Sequence, residues 1–115
     1  MQTATVNSTI LAGDTTLALP LVLVADPNAT SRERRAEQLR SRGFRVTLAR
    51  TSFEAIVKAS WHLPDLILLD GALEGDGQDD TSALLSTCPA TAHIPIVHLA
   101  AGGRLTTRAL ARLRG

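Results

Sequence analysis

The sequence predicts an α/β protein, a doubly wound parallel sheet with helices on both faces. Three observations predict it. Apolar runs of strand length recur as "LVLVAD", "FRVTLA", "DLILLD" and "IVHLA", and one-sided helical patterns separate them. The first and third runs are almost continuously apolar, the mark of strands buried on both faces. Each of those two runs ends on a carboxylate, Asp26 and Asp70. At 115 residues the chain has the size of one compact domain. It is 44% apolar but only 3% aromatic, so Leu, Val, Ile and Ala must fill the core. The same scarcity argues against a nucleic-acid platform of stacked rings.

Residues 1–19 form a Thr- and Ser-rich N-terminal extension, with two short apolar patches around Gly13-Asp14 that suit an added strand. The domain proper is expected over 20–115. "LVLVAD" must end at Asp26, because Pro27 has no place in a central strand. Asn28, Thr30 and Ser31 are N-cap candidates for a charged helix from about Ser31 to Arg42, with Ala36 and Leu39 as its thin apolar stripe. Gly43 suits the position just past its end. "FRVTLA" alternates, as a strand near a sheet edge does. Thr51 and Glu54 have capping-box spacing, and Ala55, Ile56 and Ala59 give the next helical stripe. Pro64 breaks that helix before "DLILLD". "GALEGDGQ" reads as a long loop, Asp79 or Asp80 as the cap of a short helix through Leu84 and Leu85, and "CPATAHIP" as a second loop. The fourth strand follows at 96–99. Leu105, Ala109 and Leu113 then recur at the spacing of a last helix.

The formal net charge is +1, so the chain as a whole does not attract a polyanion. Arg32, Arg34, Arg35, Arg40, Arg42, Arg45 and Arg50 crowd one stretch, and Glu74, Asp76, Asp79 and Asp80 another. These read as two solvated faces, the basic one with a docking role as the alternative. Direct DNA binding would need a helix-turn-helix partner that the pattern does not supply. The single cysteine, Cys88, excludes an internal disulfide, and His62, His93 and His98 lack zinc-ligand spacing. No apolar run reaches the roughly 20 residues of a membrane span. The opening segment lacks a basic leader and contains Asp14. A cytoplasmic protein is expected.

In open parallel sheets, ligands gather at the carboxyl ends of the strands. If the first and third strands are neighbours, Asp26 and Asp70 share one crevice, and their mutual repulsion calls for a cation or a proton. Mg²⁺ suits such a pair, and a carboxylate beside it can accept a phosphoryl group. The plainer reading is that each Asp caps a strand or a helix. A hydrolase using Asp70 as nucleophile would need a second acid, for which Glu74 and Asp76 are the nearby residues.

"LVLVADPNATSRERRAEQLRSRGFRV", "LPDLILLDGAL" and "TAHIPIVHLAA" resemble the receiver domain of bacterial two-component response regulators over about residues 20–104. The resemblance implies a flavodoxin-like sheet ordered 2-1-3-4, with the family's fifth strand and helix missing or replaced. It implies Asp70 as phosphoacceptor, and Asp26, Asp70 and the Ala72 backbone carbonyl as Mg²⁺ ligands. It implies a sensor histidine kinase or another signalling protein as partner. A homodimer is one way to cover the apolar edge that a missing fifth strand would leave. Neither nucleic acid nor membrane is expected as a direct partner, and no enzymatic turnover is expected. Three departures weaken the chemistry. Pro27 stands where the family has a second acid, so Mg²⁺ binding should be weak or absent. Ala100 stands where a Thr or Ser would bond the phosphoryl group. The only lysine, Lys58, lies in the second helical pattern and not at the end of a fifth strand. The alternative is a phosphorylation-independent pseudo-receiver that acts as a protein-interaction module.

Overall fold

The computed structural model describes residues 19–74 and 80–106. The elements run β1 (Leu21–Ala25), α1 (Ala29–Arg40), β2 (Arg45–Ala49), α2 (Ser52–His62), β3 (Leu66–Asp70), a 3₁₀ turn (Gly71–Glu74), α3 (Asp80–Thr87) and β4 (Ile96–Leu99). All strand pairs are parallel, in the order β2-β1-β3-β4. The two apolar runs are therefore the central strands, and β2 lies at an edge. Val22 to Ala25 pair with Leu66 to Leu69, so β1 and β3 end side by side. That register brings Asp26 and Asp70 together.

The sheet separates two apolar clusters. On one face Leu23, Ala25, Ile67 and Leu69 pack with Ala55 and Ala59 of α2 and Leu85 of α3. On the other, Val22, Val24 and Leu68 pack with Leu39 of α1, Phe44 and Leu105. After β4 the chain turns at Gly102, whose φ is +67°, a backbone conformation that suits glycine. It then runs onto the α1 face, where the Leu105 carbonyl accepts a bond from Gln38 Nε2 at 3.1 Å. Residues 101–106 are not helical. The remainder of the expected last helix, the N-terminal extension and the acidic positions Asp76 and Asp79 lie outside the described residues.

Helix α1 begins two residues earlier than the sequence suggests, because Asn28 is its N-cap, accepting from the Ser31 amide at 3.0 Å. Its end is a Schellman motif. Phe44 N donates to Leu39 O at 3.1 Å and Gly43 N to Arg40 O at 3.0 Å, with Gly43 at φ +91°. Leu39 and Phe44 then meet in the core. Thr51 caps α2 by accepting from the Glu54 amide at 3.0 Å. The Glu54 carboxylate reaches back one residue further than a capping box requires, to Arg50 N at 2.6 Å.

Candidate functional site

The site lies at the carboxyl ends of β1 and β3. Each strand ends in an Asp that organises the turn after it. Asp26 Oδ1 accepts from the Asn28 amide at 2.9 Å, and Asp70 Oδ1 from the Ala72 amide at 2.7 Å. Both are Asx-type turns, in which the side chain bonds a backbone N–H two residues on. Gly71, between Asp70 and Ala72, lies close to β4. A Cβ there would sit 3.2 Å from Leu99 O and 3.3 Å from Ala101 N. The glycine therefore lets the end of β3 lie tight against the chain leaving β4.

Both acids are buried, Asp26 with no exposed surface and Asp70 with 1%. The cation between them comes from α1. Arg35 Nη1 donates to Asp26 Oδ2 at 2.9 Å and to Asp70 Oδ2 at 2.6 Å. The two carboxylates share one nitrogen, so they lie no further apart than those two distances together. At about 5 Å and an effective dielectric of about 20, two such charges repel by roughly 3 kcal/mol. The guanidinium relieves that repulsion. The rest of its fork is bonded as well. Nε donates to Gly103 O at 3.0 Å, and Nη2 to Gly103 O at 2.5 Å and Ala100 O at 3.2 Å. Arg35 is itself wholly buried. Only a planar, multidentate cation can bond two carboxylates and two carbonyls at once.

The oxygens that Arg35 bonds each accept a second donor. Ser31 Oγ donates to Asp26 Oδ2 at 2.5 Å, and Gly102 N to Asp70 Oδ2 at 2.9 Å. Arg32 Nη1 reaches Asp26 O at 3.1 Å, and Arg34 Nη2 reaches Gly102 O at 3.0 Å. The segment 100–103 is thus clasped onto the site by α1. The reading of the arginine-rich stretch as a solvated or docking face is corrected on the inner side of α1, while Arg40 and Arg50 are exposed as it expects. Arg35 is interior, and Arg32 and Arg34 bond backbone carbonyls at the rim. The correction has a simple cause. Ser31, Arg35 and Leu39 recur at four-residue spacing, so they share one helix face, and Leu39 is buried.

This donor set does not suit Mg²⁺. A hard cation needs several free oxygens in near-octahedral array. Here Pro27 adds none, and all four oxygens of the two carboxylates are already engaged. Among the described residues no group of three or more His, Cys, Asp or Glu is placed to hold a metal. Ala72 enters the site through its amide. Ala100, exposed at the end of β4, contributes its carbonyl to Arg35. His62, His93 and His98 are exposed and stand on other elements.

Burial pushes the Asp70 carboxyl up, but the amides of Gly102 and Ala72 and then the Arg35 guanidinium outweigh it and hold the group below its ordinary value. A carboxyl lowered on folding adds stability above its unfolded value near 3.9. That contribution is lost as pH falls through the lower folded value. Urea midpoints measured from neutral pH down to about pH 2 should therefore fall more steeply below about pH 4 for the native chain than for Asp70→Asn. Equal slopes would contradict this.

A doubly wound parallel sheet with a buried acid pair at the ends of adjacent central strands defines a class of α/β domain. Among solved structures, three similar ones are response regulators. The N-terminal domain of a response regulator receiver protein from Methanoculleus marisnigri is 26% identical, with a TM-score of 0.66 over 84% of this chain and 78% of that one. A response regulator receiver protein from Pseudomonas putida is 25% identical, with a TM-score of 0.63 over 85% and 81%. The chemotaxis response regulator CheY4 of Vibrio cholerae is 20% identical, with a TM-score of 0.64 over 85% and 82%, a likeness of fold alone. No family model matches the sequence, and neither does a curated protein. The chain has the fold of a response-regulator receiver domain. Among its described residues no helix is long and apolar enough to cross a membrane.

Proposed function

We propose that this receiver-like signalling domain works without phosphorylation, as a protein-interaction module in which Arg35 takes the place of the divalent cation. One observation carries this reading: Arg35 Nη1 bonds both Asp26 Oδ2 and Asp70 Oδ2 inside the protein. A tethered cation offsets one of the pair's two charges at every moment, and each carboxylate oxygen already has a donor, so the pair has little call for Mg²⁺. It also engages one of the two Asp70 oxygens that could attack a phosphoryl group. The other Asp70 oxygen is held by the Ala72 amide. Ala100 has no hydroxyl with which to bond a phosphoryl group. The domain is then a fixed scaffold in the cytoplasm that presents its surface to a signalling partner, with no enzymatic turnover of its own.

The second reading keeps Asp70 as phosphoacceptor of a sensor histidine kinase, with Asp26, Asp70 and the Ala72 carbonyl as metal ligands. Its support is the position of Asp70 at the end of β3, in the fold of the receiver domains. It requires Arg35 to leave its interior bonds. Incubation with Mg²⁺ and acetyl phosphate, read by intact mass, separates the two. No phosphoryl adduct should form on the folded native chain. An adduct that Asp70→Asn abolishes would replace the first reading with the second.

A further inference from the structure

The chain has three aromatic residues, and it spends two of them on solvent. Phe44 is buried in the core. Phe53 is 77% exposed and Trp61 81% exposed, both on α2. Val57, midway between them, is also exposed, at 36%. The three stand at four-residue spacing and form one stripe about two turns long. Nothing in the acid site uses this stripe, which lies on the solvent side of α2, opposite the buried Ala55 and Ala59.

The stripe has two properties that select its occupant. The first is its symmetry. Phe53 and Trp61 are equidistant from Val57, about 6 Å along the axis in each direction. A two-fold axis through Val57 therefore sets the α2 of a second copy antiparallel, with each Trp61 opposite the other chain's Phe53. The second is a receiving hollow in the matching place. A shallow hollow of about 440 Å³ lies at the Phe53 end, lined by Arg50, Thr51, Phe53, Glu54, Val57 and Lys58. The two-fold carries the second copy's Trp61 to this hollow. Arg50 on its wall, with a side chain 70% exposed, is a cation suited to an indole face.

From this self-complementarity we infer that the α2 stripe is a homodimerisation surface: two copies pair antiparallel about Val57, each seating its Trp61 in the hollow beside the other's Phe53. The interface is isologous, as a two-fold requires. It is small, at the low end of the range for specific contacts, so the association is concentration-dependent and reversible. It is independent of the reading given to the acid site.

Sedimentation velocity over a concentration series of the full chain, with the emission of its single tryptophan followed alongside, tests this. Monomer should pass to dimer as concentration rises, with Trp61 emission moving to the blue as the ring leaves water. Phe53→Ala and Trp61→Ala should each weaken association at least tenfold, the scale of a central aromatic anchor. Both side chains are exposed, so far-ultraviolet circular dichroism should show both variants folded. In a Cys88→Ser background, Val57→Cys should cross-link to itself on oxidation, because the axis passes through that position. A chain that stays monomeric throughout the series would overturn the proposal. So would a dimer unaffected by Trp61→Ala, or a Trp61-dependent dimer in which Val57→Cys does not self-link.

Discussion

Arg35→Met should destabilise the domain by about 3–5 kcal/mol, the cost of stripping one partner from a buried ionic cluster. Methionine keeps most of the volume and the unbranched stem and removes only the charged fork. What remains is Asp26 and Asp70, both buried, sharing no cation and repelling each other. Three carbonyl contacts, at Gly103 and Ala100, are lost with the fork. Against a total stability of about 5–15 kcal/mol for a domain of this kind, the loss is large. Two further signs identify its cause. The variant should regain stability as the pH is lowered from neutrality, because protonating one acid relieves the pair. It should also regain stability in millimolar Mg²⁺, because a ligand that binds only the folded state stabilises it. The native chain should do neither. Urea midpoints with and without Mg²⁺ at two pH values check all of this, and a loss under 1 kcal/mol with no response to Mg²⁺ would contradict it.

Ile67→Ala should cost about 2–5 kcal/mol, the range for deleting a large aliphatic side chain from a closed core. Ile67 has no exposed surface. It stands on β3 between Leu23 and Ile96 of the two adjacent strands, so two strand neighbours limit its collapse. The cavity opens beneath the strand that carries Asp70. Leu84→Ala on α3, at a side chain 51% exposed, should change stability by no more than about 0.5 kcal/mol. Thermal or urea unfolding of the two variants gives the comparison, and similar losses would contradict the assignment of the core.

Much of this was legible in the sequence. The continuous apolar runs located β1 and β3 at the centre of the sheet, because only strands covered on both faces lack polar alternation. Pro27 and Gly71 marked where those strands stop, and the Asp before each fell at the strand end. The cap Thr51 and the αL residue Gly43 followed from local chemistry, and Asn28 was one of three cap candidates for α1. Arg35 was not read as interior, for a physical reason. Hydropathy sends an arginine to the surface, and its reason for staying inside lies 35 residues away at Asp70. A signal was present in the Ser31, Arg35, Leu39 spacing, which places Arg35 on the face that Leu39 buries. The other half of its binding site was invisible, because the carbonyls of Ala100 and Gly103 belong to the backbone and leave no mark in side-chain chemistry. The turn of the chain onto the α1 face at Leu105 was equally silent, since the flexible Gly102-Gly103 pair fits either direction.

If Arg35 is the cation of this acid pair, a titration of the ¹⁵N-labelled native chain with Mg²⁺ shows it most directly. The amides of Asn28, Ala72 and Gly102 each donate to one of the two carboxylates, so they report any cation that enters. Their signals should stay in place through millimolar Mg²⁺. Saturable shifts at these three amides, lost in Asp70→Asn, would show that the metal displaces Arg35 and would contradict that assignment.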